Sequence, residues 1–424
     1  MKIAWLVNIV MPELAEDLGL WKTSLGGWLI GQMNGLKKAG YPLTILSISK
    51  DIHELTWRTL HNVDFCVIPD QPEESIRETF RAVLGKIKPD VFHIFGTETS
   101  AAAIAFSISD TNHTVVSIQG FVGVYANHVR DGIPEKYYKA TWLKRLGKRW
   151  LHGSVIADDA HRLAKSGLRE SGVLENARHV IGRTTWDRAY MYHRNPKAKY
   201  YVCREILRES FYGDRWDAAR CQRHTIFLSQ SASPIKGLHQ VLKALPMILR
   251  KYPDTVVFIA GAPLSNFPKR NPIKQKAVEY FSGYQGYIES LVRENNLYGK
   301  IHFLNYLDES SMMAQYLKAN VFVLPSAIEN SPNSLGEAML LGVPCVASCV
   351  GGVQDMLTAP EEGFIYPFDE PYMLAYYVCR IFESDELAMS ISQKARAHAA
   401  KTHNQEENTK DLLEIYRKVG GFNG

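Results

Sequence analysis

Two acidic residues, Glu329 and Glu337, lie in residues 321–352 with seven residues between them. Glu329 follows the short apolar run 321–325, which predicts a buried strand, and Glu337 lies in the first turn of the helix-forming segment 334–341. Backbone N–H groups that open a helix have no intrahelical partner, and they suit a phosphate group. Because Glu337 could bind a ribose diol and Glu329 the hydroxyls of a sugar, this stretch could bind a whole nucleotide sugar.

The same residues also have a purely structural interpretation. Ser334 and Glu337 have the spacing of a capping box, in which a serine hydroxyl and a glutamate carboxylate satisfy the first N–H groups of a helix. A capping box needs no ligand. The residues of this stretch alone therefore leave ligand binding and helix capping open.

The sequence around the two acids resembles a known family. Glu329-x7-Glu337 lies between a segment ending Leu324-Pro325-Ser326 and the run GEAMLLGVPCVAS, and this is similar to the retaining glycosyltransferases of family 4, the glycosyl transferases group 1. The resemblance covers nearly the whole chain and is stronger in the C-terminal half. It implies that Glu329 binds sugar hydroxyls and Glu337 the ribose. The neighbouring donor-binding residues that it implies are Ser331, Pro332, Asn333, Ser334 and Leu335.

The resemblance implies an α/β protein of the GT-B fold, with two Rossmann-like, doubly wound domains facing each other across a cleft. We expect an acceptor-binding domain over residues 1–205 and a nucleotide-sugar-binding domain over residues 206–403. Residues 404–424 are expected to form a helix that packs back on the first domain. The order strand, glycine turn, helix and strand over residues 2–47 is typical of such a sheet.

Four residues of the first half are candidates for the ligand side of this sheet. Gly26-Gly27 lacks the full GxGxxG pattern, so Gly27 fits either a ligand-facing turn, as in the family, or close packing. Gly96 and Thr97 follow the segment PDVFHIF, which resembles the family's PDVVHVHG, at the carboxyl end of a strand where such sheets bind ligands. Gln119 stands where many members have histidine; it cannot act as a base but can bind a sugar hydroxyl. His93 is interpreted as a core residue.

One of two expected cations is missing from the second half. SQSASPIKG resembles the family's GRLxxxKG segment, whose arginine and lysine neutralise the donor diphosphate. Lys236 is present, but Ser231 occupies the arginine position and Gln230 replaces glycine. Arg183, in a loop after a predicted strand, is our candidate replacement. The resemblance also places Gly261 at the donor face and Tyr306 and Leu307 at the base.

No Asp-x-Asp triplet occurs in the chain, so a transferase site that holds a metal through such a pair is not indicated. We therefore expect no metal and no cofactor. The resemblance implies transfer of a hexose from a UDP- or GDP-linked sugar to a hydroxyl of a glycan or polyprenyl-linked acceptor, with retention. The leaving diphosphate would take the acceptor proton, so no protein nucleophile is required.

Composition and charge restrict the class of protein. With 424 residues, 46% hydrophobic residues, 22% charged residues and a net charge of +5, the chain is typical of a globular protein and does not indicate a nucleic-acid binder. Six scattered cysteines predict reduced thiols of a cytoplasmic protein, and we see no signal peptide or spanning helix.

Residues 135–152 interleave basic and aromatic side chains. This pattern suits either an anionic membrane surface near a lipid-linked acceptor or a solvated helix that packs its aromatic stripe on the domain. Two further functional alternatives remain open at this point. Ser231 and Gln119 are compatible with a catalytically inactive GT-B scaffold, and the fold is also used by sugar-nucleotide epimerases and phosphorylases.

Overall fold

The chain forms two compact units in the computed structural model, which describes residues 1–21, 26–139, 156–267 and 271–422. The first unit comprises Met1–Gly123, Lys165–Glu209 and Thr402–Gly424, and the second comprises Val124–Ala164 and Ser210–Lys401. The C-terminal residues thus group with the first unit. We expected residues 124–164 in the first domain, which was to end at residue 205, but they group with the second unit.

The first unit is built on an eight-stranded sheet with the order β3-β4-β2-β1-β5-β6-β7-β8. Its neighbouring strands are parallel, except that β3 is antiparallel to β4. Most of its central strands are buried along their length, as expected of a parallel sheet covered on both faces. The strands are β1 Ile3–Leu6, β2 Leu43–Ser49, β3 Thr56–Leu60, β4 Val63–Pro69, β5 Val91–Phe95, β6 Thr114–Ser117, β7 His179–Gly182 and β8 Lys199–Val202.

Helices connect these strands, and the last one closes the core of the first unit. Helix Gln405–Val419 buries Tyr416, whose hydroxyl accepts a hydrogen bond from Trp5 Nε1 at 2.9 Å and lies 2.6 Å from Nδ1 of His93. Complete burial lowers the pKa of His93 to about 3, so His93 is a neutral core residue. The described helices that begin in this unit are Pro12–Asp17, Gly27–Lys38, Glu73–Ile87, Ser100–Ile108, Val122–His128, Thr185–Arg194 and Gln405–Val419.

The second unit is built on a six-stranded parallel sheet with the order β11-β10-β9-β12-β13-β14. The strands are β9 Thr225–Leu228, β10 Val256–Ile259, β11 Ile301–Phe303, β12 Val321–Leu324, β13 Cys345–Ser348 and β14 Phe364–Tyr366. The described helices that begin in this unit are Glu135–Tyr138, Ile156–Asn176, Leu238–Lys251, Pro272–Phe281, Gly283–Glu294, Glu309–Lys318, Asn333–Leu341, Pro371–Glu383 and Asp385–Thr402.

A turn at Asp131-Gly132 explains why the segment after residue 123 groups with the second unit. The carbonyl of Asp131 lies 3.0 Å from Nε2 of the buried His239, and the carbonyl of Gly132 accepts a hydrogen bond from Lys243 Nζ at 2.9 Å. Tyr287 donates to the same Gly132 carbonyl at 3.3 Å. These side chains belong to two helices of the second unit, so both helices hold the turn through polar contacts.

The predicted membrane-binding segment 135–152 lies mainly outside the described residues, which end at Lys139 and resume at Ile156. In its described part, Tyr137 is buried against Tyr287 and donates a hydrogen bond to Ser290 at 2.8 Å. This part therefore packs on the protein. Among the helices that the structure describes, none has the length and apolar character needed to span a membrane.

Candidate functional site

An ion pair joins the two segments of the second unit that the sequence singled out. Lys236 Nζ lies 2.6 Å from Oε1 of Glu329, and Ser326 donates a hydrogen bond to the same oxygen at 2.7 Å. The two residues are 93 positions apart in the sequence. They meet because β9 and β12 are parallel neighbours, so the loops after the two strands lie at one edge of the sheet.

Two glycines that were not among the predicted site residues pack closely against the backbone around this ion pair. Gly237 has a φ of +70°, and a Cβ there would lie 1.7 Å from the carbonyl oxygen of Pro325, at the end of β12. Gly351 has a φ of +49°, and a Cβ there would lie 1.9 Å from the carbonyl oxygen of Glu329. The adjacent pair Lys236-Gly237 is a sequence signal that could have identified the first of them.

Helix Asn333–Leu341 begins beside this ion pair and lacks the predicted capping box. Its N-cap is Pro332, which makes no side-chain capping hydrogen bond because its ring has no acceptor. Ser334 lies inside the helix, so the structural alternative for Ser334 and Glu337 is wrong. The start of the helix thus presents backbone N–H groups that no N-cap side chain satisfies. Glu337 is buried one turn further along, and Gly342 ends the helix in the left-handed conformation.

The remaining donor-side residues are distributed over neighbouring loops of the second unit. Gly261 follows β10 with a φ of +96° and donates to the carbonyl of Asn305 at 2.7 Å. Tyr306 is 73% exposed. Gln230 is exposed, whereas Ser231 is buried, and its hydroxyl has no hydrogen-bond partner within the described part of the chain. The position of the missing arginine therefore holds an inward-facing serine.

Arg183, our candidate replacement for the missing cation, already has an anionic partner in the structure. Its guanidinium forms an ion pair with Glu205, and both side chains are almost completely buried in the first unit. Arg183 also donates to the carbonyl of Ile118. A buried carboxylate thus already neutralises the charge of Arg183, and the pair has a structural role in the first unit. Any contribution of Arg183 to diphosphate binding stays a prediction.

The acceptor-side residues lie at the carboxyl ends of β5 and β6 in the first unit. Gly96 has a φ of +81° and donates to the carbonyl of Ser117 at 3.1 Å. Thr97 is fully buried, and its backbone N–H donates to Glu98 Oε2 at 2.8 Å. Gln119 is half-buried and lines a small cavity with Arg183. These residues therefore share one edge of the sheet.

Gly27 has the close packing that the sequence left as an alternative. It begins helix Gly27–Lys38, and a Cβ at this position would lie 2.4 Å from Cγ of Arg208 in the same unit. Its role in ligand binding stays a prediction. Within the described ranges, no group of three or more His, Cys, Asp or Glu side chains has the geometry to hold a metal ion.

Comparison with known proteins finds a family match over part of the chain. Residues 218–398 match the family model described as glycosyl transferases group 1. A D-inositol 3-phosphate glycosyltransferase of Corynebacterium urealyticum is 26% identical over 187 residues, which is 44% of this chain and 41% of that protein. The chain thus matches less than half the length of this relative.

Two solved structures have the same two-unit architecture. Sucrose-phosphate synthase from Thermosynechococcus elongatus superposes with a TM-score of 0.72 at 18% identity, over 100% of both chains. HepE of Anabaena, solved in complex with UDP and glucose, superposes with a TM-score of 0.65 at 15% identity, over 98% of both chains. At these identities, the likeness establishes the fold.

Proposed function

We propose that the chain is a retaining hexosyltransferase, because residues 218–398 match the glycosyl transferases group 1 and the chain has the GT-B fold. It transfers a sugar from a nucleoside diphosphate sugar to a hydroxyl of a glycan or lipid-linked acceptor. The single observation that carries this proposal is the meeting of Lys236 and Glu329 beside a helix that starts at a proline N-cap.

Each part of this site has a proposed role in binding the donor. Lys236 and the N–H groups at the start of helix Asn333–Leu341 bind the diphosphate, whose charge increases as the glycosidic bond breaks. Glu329 exchanges its contact with Lys236 for the sugar hydroxyls, and Glu337 binds the ribose. The diphosphate takes the acceptor proton, so no protein nucleophile and no metal are required.

The donor is proposed to be a UDP-linked sugar, with a GDP-linked sugar as the second choice. Support for UDP comes from HepE, which binds UDP and glucose and shares the fold of this chain. Envelope polysaccharide assembly at the cytoplasmic face of a membrane is the setting that we propose for the acceptor.

A panel of nucleotide sugars tests the activity directly. An active transferase releases the nucleoside diphosphate slowly to water and faster with an acceptor, and a chelator leaves the rate unchanged. Glu329→Gln should reduce release, whereas Glu361→Gln, an exposed control in the same unit, should not. Absence of release with every sugar would overturn the proposal and favour the inactive scaffold.

The scaffold is the second candidate because three observations favour it. Ser231 and Gln119 replace residues that the family uses, and Arg183 is already neutralised by Glu205. A scaffold would bind a nucleotide sugar without releasing its diphosphate. Measurement of donor binding by calorimetry, beside the release assay, separates these outcomes.

A further inference from the structure

A buried carboxylate lies behind the acceptor-side loops of the first unit. Glu170 belongs to helix Ile156–Asn176 and is 1% exposed. Its Oε1 accepts a hydrogen bond from the backbone N–H of Val122 at 3.3 Å, and its Oε2 accepts one from Gly123 at 3.2 Å. Both oxygens of one side chain therefore hold the backbone that follows Gln119.

The same side chain also borders the loop after β5. The Glu98 carboxylate acts on the pKa of Glu170 and also accepts the backbone N–H of Thr97. The Thr97 hydroxyl itself is buried and has no hydrogen-bond partner among the described residues. Gly123 and Gly167 pack backbone against backbone, since a Cβ on Gly167 would lie 2.3 Å from Cα of Gly123. Glu170 is thus placed between two loops that both follow the carboxyl ends of central strands.

The charge of Glu170 is sensitive to pH near neutrality. Burial and, to a smaller extent, the negative charge of Glu98 raise its pKa to about 7, while the N–H groups of Gly123 and Val122 act in the opposite direction. In the described part of the chain, Glu98 is the charged side chain found to act on it. The ionised form is the better acceptor for two N–H groups, because charged acceptors form stronger hydrogen bonds.

We propose that Glu170 is a positioning residue for the acceptor, since its two hydrogen bonds fix the backbone at Val122 and Gly123, close behind Gln119. This inference rests on the proposed glycosyl transfer. The N–H groups of Gly123 and Val122 lower the pKa of Glu170 and so favour its ionised form. While the carboxyl stays buried, ionisation therefore strengthens both hydrogen bonds, and protonation releases one of them. Acceptor binding therefore weakens as the pH falls through 7, whereas donor binding in the second unit does not.

Acceptor kinetics at several pH values form the first test. We expect the acceptor KM of the wild-type chain to rise about fivefold between pH 8 and pH 6, the equivalent of one hydrogen bond. Glu170→Gln should give the high KM at both pH values, with little change in donor hydrolysis. Glu175→Gln, an exposed control on the same helix, should behave like the wild type.

Hydrogen exchange provides a second readout that needs no activity. After correction for intrinsic rates, the amides of residues 119–124 should exchange faster at pH 6 than at pH 8 in the wild type and equally in Glu170→Gln. Glu98→Gln should move this transition to lower pH, because it removes the neighbouring negative charge.

The outcomes of the two experiments distinguish the inference from the proposed function. A wild-type KM and pH profile in Glu170→Gln, with unchanged exchange at residues 119–124, would overturn the positioning role while transfer persists. Failure of nucleotide release with the exchange transition intact would instead refute the transferase activity.

Discussion

At the scale of single residues, the candidate site depends on contacts between side chains that are distant in sequence. Glu329 is buried with a partly exposed Lys236 as its partner, and Ser326 shares the same carboxylate oxygen. A buried charge without a partner is unfavourable, so the two residues stabilise each other before any substrate is bound. When the diphosphate arrives, Lys236 can exchange one anionic partner for another.

Lys236→Ala should therefore lower the rate of nucleotide release on the order of a hundredfold to a thousandfold, as expected for loss of one preorganised electrostatic group. A kinetic assay at saturating donor measures this. Lys251→Ala is the control, because Lys251 pairs with Glu383 on the surface of the same unit. Equal rates in Lys236→Ala and the wild type would remove Lys236 from the mechanism.

Gly237→Ala tests how tightly the lysine loop must approach β12. Its Cβ would lie 1.7 Å from the carbonyl oxygen of Pro325, so the loop must move, and the left-handed conformation costs about 1–2 kcal/mol in addition. Gly299→Ala is a matched control, because Gly299 has a φ of +74° and no atom within 4 Å of its Cβ.

We expect urea denaturation to show a free energy of unfolding for Gly237→Ala at least ~2 kcal/mol below that of Gly299→Ala. The same variant should release nucleotide more slowly, since Lys236 moves with the loop. Equal stability of the two variants would show that the close approach is relaxed in solution.

At the scale of elements, the unit formed by β12, helix Asn333–Leu341 and β13 was predictable from the sequence. An apolar run, a stop at Gly342 and a second apolar run specify it locally. The start of the helix was not predictable, because Ser334 and Pro332 are both acceptable there, and tertiary contacts decide between them.

Other contacts were invisible to local patterns. The pairing of Arg183 with Glu205 joins two loops, and the sequence showed only one of the partners as notable. Local patterns also gave no sign of the contacts of Glu170, because its hydrogen-bond partner Gly123 lies 47 residues away in the sequence. Helix Glu135–Tyr138 was expected with the first domain because it follows β6 in sequence, but polar contacts of Asp131 and Gly132 group it with the second unit.

Gly132→Ala should loosen this docked segment. A Cβ at this position would lie 2.5 Å from Nε2 of Gln240, and the φ of +68° is unfavourable for alanine. We expect faster hydrogen exchange over residues 126–139, with the remainder of the second unit unchanged. Gly299→Ala serves again as the control, and equal exchange in the two variants would contradict the importance of this turn.

At the scale of the whole molecule, each unit contains a histidine that is buried in its neutral form. Burial lowers the pKa of His93 in the first unit and of His239 in the second to about 3. The unfolded chain takes up protons at both positions below pH 6.5, whereas the folded chain does not. The contribution of these histidines to folding stability is therefore complete above pH 6.5 and is lost progressively as the pH falls towards 3.

In global unfolding, which exposes Glu170 to water, the contribution of Glu170 to stability changes with pH in the direction opposite to that of the histidines. Its pKa is raised in the folded state, so its contribution to stability is complete below its ordinary pKa of 4.5 and is lost as the pH rises to about 7. Burial also lowers the pKa of His179 in the first unit, to about 4. Between pH 5 and 6.5, these three histidines therefore gain protons on unfolding, while one glutamate loses one. The histidines therefore determine the sign of the change in the free energy of unfolding with pH, and the stability of the whole chain should fall on acidification.

Denaturation at pH 7 and pH 5 measures this balance. Each histidine should contribute a loss of about 2 kcal/mol over that interval, the equivalent of 1.5 pH units at 1.36 kcal/mol each, and Glu170 should offset part of the sum. His239→Gln removes one titrating group, so the difference between the two pH values should shrink by about the same amount. His53→Gln, at an exposed position, should leave it unchanged. A pH dependence that is the same in His239→Gln and the wild type would mean that His239 is not held neutral in the folded chain.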